Sequence, residues 1–339
     1  MIPSMRKIYC LIITLCLICT CIFTTACSRE PEPVSKTGCY FDTVITITLY
    51  CDNAQQYIDE CFAMAGEYEN LFSATKEGSD IYNLNHNNGQ VTTLNPETIG
   101  LIEEGIKYAK ESDGSFDVTV GNLSTIWQSA IKEQKLPKES DVASALSTVS
   151  YENIVINDNT VQLLNGAKID LGGIAKGYIA DKMKEYLLDQ GITNGLINLG
   201  GNVLAVGPKS SDHPMYHIAI QTPFSENGEA IASVKITDQS VVTSGTYQRY
   251  FNVEDHVYHH ILDLTTGYPC ENDLDSVTII CDKSIDGDAL STAVFLMGLK
   301  EGLEYVENLP DTEAIFIAKD GNISTTSGMG KTIPFQMNQ

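Results

Sequence analysis

Positive charge is scarce in this chain of 339 residues: 21 Lys and Arg stand against 44 Asp and Glu, a formal charge of −23. Such a field repels polyanions, so non-specific nucleic-acid binding is excluded. A small phosphorylated ligand remains admissible where a metal ion screens it. Long apolar runs are lacking too: outside residues 8–23 none approaches the roughly 20 residues a membrane helix needs. The sequence has no G-x-G-x-x-G fingerprint, no Walker G-K-[ST] and no internal repeat. It is 43% hydrophobic and 19% charged, which rules out disorder as its dominant state and allows a sizeable core.

The N-terminus has the three-part form of a secretory peptide. Arg6 and Lys7 open it, Ile8 to Phe23 is apolar, and Thr24-Thr25-Ala26 puts small residues before Cys27. This arrangement resembles a bacterial lipoprotein box, with Thr24 where Leu is usual. The expectation is a signal peptide over 1–27, a lipid on Cys27 and a chain anchored at the extracytoplasmic face of the membrane. The alternative is an uncleaved anchor. Residues 28–37, polar and Pro-containing, read as a flexible linker before a domain over 38–339. Of ten cysteines, five lie in the signal or at its end. Cys39, Cys51, Cys61, Cys270 and Cys281 remain, odd in number and without zinc spacing. One or two disulfides are compatible with that set.

Periodicity predicts strands at 44–50, 154–157, 161–164, 195–199, 203–206, 216–221, 231–236, 241–242, 259–262, 277–281, 314–318 and 322–325. It predicts helices at 54–71, 97–112, 177–190 and 288–299, and a short one at 140–146 capped by Ser140. Helices fall between runs of strands without strict alternation, which favours an α+β fold with mixed, largely antiparallel sheets in one compact unit of two lobes at most.

Five segments carry candidate chemistry. In Ile169–Asp181, IDLGGIAKGYIAD, Asp170 ends a strand, Gly172-Gly173 permits close backbone approach, and a helix starts near Lys176. A tight strand-to-helix connection explains the glycines equally well. NLGGN at 198–202 reads as a bulge or tight turn. TSGTYQRY at 243–250 and HHILDLTTGYP at 259–269 concentrate polar side chains as the rim of a pocket would. A three-His zinc site at His256, His259 and His260 is disfavoured, because adjacent strand residues point to opposite faces. One histidine as a base or ligand contact fits better. Finally, Asp288 and Thr292 share a helix face and offer hard oxygen donors that suit Mg²⁺; Asp288 as a simple helix-start charge is the alternative.

Taken in order, FDVTVG at 116–121, IDLGGIAKGYIAD at 169–181, LINLGGNV at 196–203, TSGTYQRYF at 243–251, HHILDLTTGYP at 259–269 and DGDALSTAVFLMG at 286–298 resemble the ApbE family, the FAD:protein FMN transferases. The resemblance spans about residues 40–330. It implies Mg²⁺-dependent cleavage of FAD, transfer of its FMN half to a Thr of a partner protein as a phosphoester, and release of AMP; the implied partner is an electron-transfer flavoprotein. It implies metal ligation by Asp288, Thr292 and the backbone carbonyl of Gly173. It also implies FAD contacts at Ser115, Phe116, Asp117, Asp170, Lys176 and the Ile261 backbone, with Phe41 and Thr75 at positions of flavin contact. Phe41 and Asp42 replace a frequent Met-Gly, Thr75 a flavin-stacking Tyr, Asn122 a Pro and Thr246 an Asp. His260 is the candidate base toward the acceptor, with Asp263 as the alternative. A pyrophosphatase of the same fold, or a flavin-binding lipoprotein without catalysis, are the competing functions.

Overall fold

Antiparallel pairing organises the chain. The computed structural model describes residues 32–225 and 227–338; the signal peptide and Cys27 lie outside them. In chain order the elements are β1 (Val34–Tyr40), β2 (Thr43–Leu49), α1 (Ala54–Phe72), α2 (Asp80–His86), β3 (Thr92–Thr93), α3 (Pro96–Glu111), α4 (Gly121–Glu133) and α5 (Glu139–Leu146). There follow β4 (Ile154–Asn157), β5 (Thr160–Leu163), α6 (Ala175–Asp189), β6 (Gly195–Leu199), β7 (Asn202–Val206), β8 (Tyr216–Gln221), β9 (Ala230–Ile236) and β10 (Ser240–Gly245). The last are β11 (Tyr250–Val253), β12 (His256–His259), β13 (Leu274–Cys281), α7 (Ser284–Glu307), β14 (Glu313–Ala318), β15 (Ile323–Thr325) and β16 (Phe335–Met337). The expected α+β class holds.

Eight strands form one sheet in the order β1-β2-β6-β7-β10-β13-β14-β15, every neighbour antiparallel. Three small sheets, β11-β12, β16-β9-β8 and β3-β5-β4, attach to it. From Pro33 onward the chain is one compact unit.

Alternation along the central strands divides the core. On β13 and β14, Val277, Ile279, Ala314 and Phe316 face α7, while Ile280, Ile315 and Ile317 face the layer of β8 and β9. The largest cluster joins Ile45, Ile47 and Leu49 of β2 to α1, α3 and α6. Leu123 and Trp127 of α4 pack with Val142 of α5, Phe251 and Leu262 in a separate cluster. Local signals set the ends: Asn95 accepts from Glu97 N at 2.9 Å with Pro96 opening α3, and Gly191, at φ 76, follows α6.

Three expectations are corrected. Residues 34–37 of the proposed linker belong to β1, an edge strand paired with β2 from Val34↔Leu49 to Tyr40↔Thr43. Ser140 does not cap α5; Lys138 occupies the cap position without a side-chain bond. The strand near 259–262 ends at His259, and Leu262 makes only an isolated bridge with Pro269. The five cysteines after the signal are all free thiols. No helix among the described residues is long and apolar enough to cross a membrane.

The contact that fixes the site is between α6 and the start of α7. At Gly177 any Cβ would lie 2.3 Å from Ser284 O and 2.5 Å from Ile285 Cα. Only glycine permits that approach. Asp181, one turn further along α6, then accepts from Ser284 N at 2.8 Å and Ile285 N at 2.9 Å. One helix thus caps the other, satisfying donors that α7's own cap residue leaves open. We expect Gly177→Ala to cost about 1–3 kcal/mol through overpacking. Gly100→Ala on α3, where a Cβ meets nothing within 4 Å, should instead gain roughly 0.5–1 kcal/mol. Urea unfolding of the two variants beside the wild type checks both signs.

Candidate functional site

A cleft of about 1280 Å³, measured to its open mouth, is walled by residues from eight regions of the chain. They are Thr43 of β2, the 115–120 loop, α4, the 170–176 turn, the β6–β7 turn with Gly200 and Asn202, the β10 end with its following loop, the 260–264 loop, and α7.

At its base, Asp288 on α7 is 4% exposed. Its carboxylate meets Lys176 Nζ at 3.0 Å and accepts from Gly177 N at 3.0 Å. The same ammonium donates to Gly172 O at 2.9 Å. Thr292, one turn beyond Asp288, places Oγ1 3.2 Å from Ser244 Oγ. Asp170 accepts from Gly172 N at 2.9 Å and from Ser124 Oγ, which shapes the glycine turn. A Cβ on Gly173 would fall 2.8 Å from the Phe116 ring, so ring and turn fit only without a side chain there.

The same cleft is lined by Arg249 and His260. Arg249 is the only arginine among the described residues. His260 N donates to Arg249 O at 3.2 Å, while His260 Nδ1 is buried without a hydrogen-bond partner. Burial, then the charge of Arg249 and the neighbouring His259 and Lys176, lower the His260 imidazole to about 3. It is therefore neutral at pH 7 and able to accept a proton. An anionic ligand beside it would raise its basicity.

Residues 41–316 match the model of the ApbE family. The chain belongs to the ApbE family. Among its relatives, the FAD:protein FMN transferase of Klebsiella pneumoniae (strain 342) is 34% identical over 270 residues, covering 78% of this chain and 83% of the relative. That of Treponema pallidum (strain Nichols) is 30% identical over 288 residues, covering 80% of each. The crystal structure of the ApbE protein from Thermotoga maritima superposes with a TM-score of 0.81 at 30% identity, over 87% of this chain and 97% of the other. The apo flavinyl transferase ApbE of Pseudomonas stutzeri, at 24% identity, shares the fold with a TM-score of 0.78 over 89% of this chain and 97% of the other.

Within this ApbE chain most residues singled out from the sequence converge on the cleft. Ser115, Phe116, Asp117, Asp170, Gly173, Lys176, His260, Ile261, Asp288 and Thr292 all line it. Three do not. Phe41 sits in the two-residue β1–β2 turn, at φ 52, with its N–H on Glu69 Oε1 at 2.7 Å. Thr75 is exposed in the loop after α1, bonded to Ser73. Asp263, the alternative base, is tied to its own turn through one oxygen: its Oδ1 accepts from Thr265 N at 2.8 Å and Thr265 Oγ1 at 2.7 Å.

Two cleft residues carry different bonds from those expected. Both Asp117 oxygens are already taken, by Thr119 N and Oγ1 and by Tyr151 N at 2.7 Å, so this carboxylate shapes the loop. The Ile261 carbonyl accepts from Cys270 N at 2.9 Å. The carbonyl that shares the Lys176 ammonium with Asp288 is that of Gly172, next to Gly173. Arg249, Ser124, Gln128, Gln248 and Asn202 line the cleft without having been singled out. The rarity of arginine in so acidic a chain was the available signal for Arg249.

The donor set suits Mg²⁺. Among the described residues no three His, Cys, Asp or Glu side chains cluster as a metal cage. Mg²⁺ commonly takes one or two carboxylates, and completes its shell with water and substrate phosphates. Asp288, Thr292 and a glycine carbonyl are such a partial set, and the Lys176 ammonium on Asp288 and Gly172 O is a cation already lodged between two of those donors.

His259, behind His260, is buried; its Nε2 lies 3.1 Å from Cys270 O and its Nδ1 3.3 Å from Ile261 N. Burial lowers its imidazole from 6.5 to about 4. Both histidines are held below their unfolded value, so their stability contribution is complete above pH 6.5 and is lost as pH falls toward 4. Asp181, raised by burial to about 6, works with the opposite sign. We therefore expect the pH dependence of the urea midpoint between 6.5 and 4 to flatten in His259→Asn relative to wild type. The difference should reach at most about 1.4 kcal/mol per pH unit.

Proposed function

We propose that this ApbE-family chain is an FAD:protein FMN transferase that moves the FMN half of FAD to a Thr hydroxyl of an acceptor protein and releases AMP. The reading is carried by one juxtaposition: Asp288, Thr292, Lys176, the 172–173 turn, Arg249 and a neutral His260 line one cleft. The names of the relatives support it.

In this mechanism Lys176 and Arg249 hold the diphosphate in a chain whose overall charge opposes it. Asp288, Thr292 and the glycine carbonyl would hold Mg²⁺, which neutralises phosphate charge when bound. The acceptor oxygen forms a bond to the FMN phosphorus as the bond to the AMP oxygen breaks. His260 takes the acceptor proton on its neutral imidazole. The AMP phosphate leaves as the anion. Because phosphoryl transfer rests on positioning and charge stabilisation, the shape of the cleft carries most of the rate. We further propose that Cys27 is lipidated, that the enzyme works on the extracytoplasmic face, and that its acceptor is an electron-transfer flavoprotein there.

The test is to incubate the enzyme with FAD, Mg²⁺ and an acceptor domain bearing a flavinylation Thr, and to weigh the acceptor intact. One FMN phosphoester should be gained, and none should form when Mg²⁺ is chelated before FAD is added. Free FMN and AMP beside an unmodified acceptor would point to the pyrophosphatase, with water as acceptor. Asp288→Asn should lower kcat/KM by about 10³-fold or more. His260→Ala should slow transfer by about 10²–10⁴-fold while leaving the Kd for FAD nearly unchanged. Equal losses in both would make His260 a binding residue.

A further inference from the structure

Two polar atoms in the cleft wall are buried without a partner: His260 Nδ1 and Asn202 Nδ2. The proposed mechanism uses the His260 imidazole and leaves Asn202 unexplained. Asn202 is 1% exposed and opens β7, directly after the Gly200-Gly201 turn. Its Oδ1 accepts from Ser284 Oγ at 2.5 Å, and Ser284 Oγ is 3.0 Å from Ser240 Oγ. Ser284 is itself held by Asp181 at 2.8 Å. These bonds lock the amide with its acceptor toward α7 and its NH₂ unbonded in the cleft wall. A buried donor without a partner costs about 1–3 kcal/mol, a cost that a ligand acceptor removes.

The surroundings say what kind of acceptor fits. Gly200 lines the cleft at φ 61, and a Cβ there would meet Thr43 Oγ1 at 2.2 Å. That stretch of wall must remain bare backbone. Val242, opposite Asn202 in the β7–β10 register, adds an apolar surface. The cations suited to phosphate, Lys176 and Arg249, are separate residues of the same cleft. An uncharged donor between bare backbone and a valine matches the polar edge of a flat, uncharged ring.

We propose that Asn202 is a specificity residue that donates to a ring carbonyl or ring nitrogen of the nucleotide substrate, with the Gly200 turn and Val242 forming the surface on which that ring lies. The proposal deepens the flavin-transfer reading and rests on it. FAD offers two such rings, isoalloxazine and adenine, and the same chemistry serves either.

The experiment is FAD binding by flavin fluorescence, with competition by FMN and by AMP, in wild type and Asn202→Asp. The aspartate keeps an acceptor for Ser284 Oγ and removes the donor. The Kd for FAD should rise about ten-fold. The loss should appear for FMN alone if the isoalloxazine is read, and for AMP alone if the adenine is. An unchanged Kd overturns the proposal, and so do equal losses for FMN and AMP, which are the mark of a merely structural residue. If Asn202→Asp does not fold, Ser284→Ala decides. It frees the amide without altering the cleft lining, and should raise the Kd for one of the two half-molecules by about two- to five-fold; no change overturns the proposal. Failure of the wild type itself to bind FAD overturns both this inference and the flavin-transfer reading, whereas the other negative outcomes strike only Asn202.

Discussion

The site depends on how closely α6 approaches the first turn of α7. Gly177 lets the two backbones touch, and Asp181 supplies the start of α7 with the acceptors it lacks. Lys176 and Asp288 then meet at 3.0 Å across the junction. A displacement of either helix would part the ammonium from the carboxylate, and with them the carbonyl and hydroxyl donors alongside. Packing, capping and site chemistry are therefore one constraint expressed at three levels. The tolerance of the chemistry is set by the tolerance of a glycine contact.

Electrostatics completes the arrangement. The chain is strongly acidic, yet its cleft gathers Lys176 and the sole arginine among the described residues. A phosphate-bearing ligand is repelled by the molecule as a whole and accepted at one place. That is a form of selectivity, since a general basic patch would collect polyanions of every kind. His260 stays neutral in the same region because burial and adjacent cations oppose its protonation, which is the state a proton acceptor needs.

Much of this was legible in the sequence where a local rule and a global need coincide. The glycine pair before a helix, the i,i+4 spacing of Asp288 and Thr292, and the alternation of β2, β8 and β9 each survive into the fold. β1 was hidden because an edge strand needs little apolar content: VSKTGCY alternates half-buried and exposed positions, and its first residues read as linker. α4 was hidden because GNLSTIWQSAIKE mixes Ser, Thr and Asn with its few apolar anchors, and its helicity comes from burying Leu123 and Trp127 against α5 and Phe251. Asp263 shows a related limit: its place in a polar motif does not reveal that its Oδ1 closes its own turn. Phe41 and Thr75 keep the family's order along the chain but do not line the cleft, a distinction that linear spacing does not encode.

The free thiols have a consequence of their own. Cys61 and Cys270 are buried, with their pKa values pushed up to about 12 and about 11, and Cys281 is raised as well. Such sulfurs stay protonated and pack as small hydrophobes. No cross-link staples β1, β13 or any other element in place. The native state consequently owes nothing to an oxidant: maturation need not wait for a disulfide to form or reshuffle, and a reducing environment has no bond to cut.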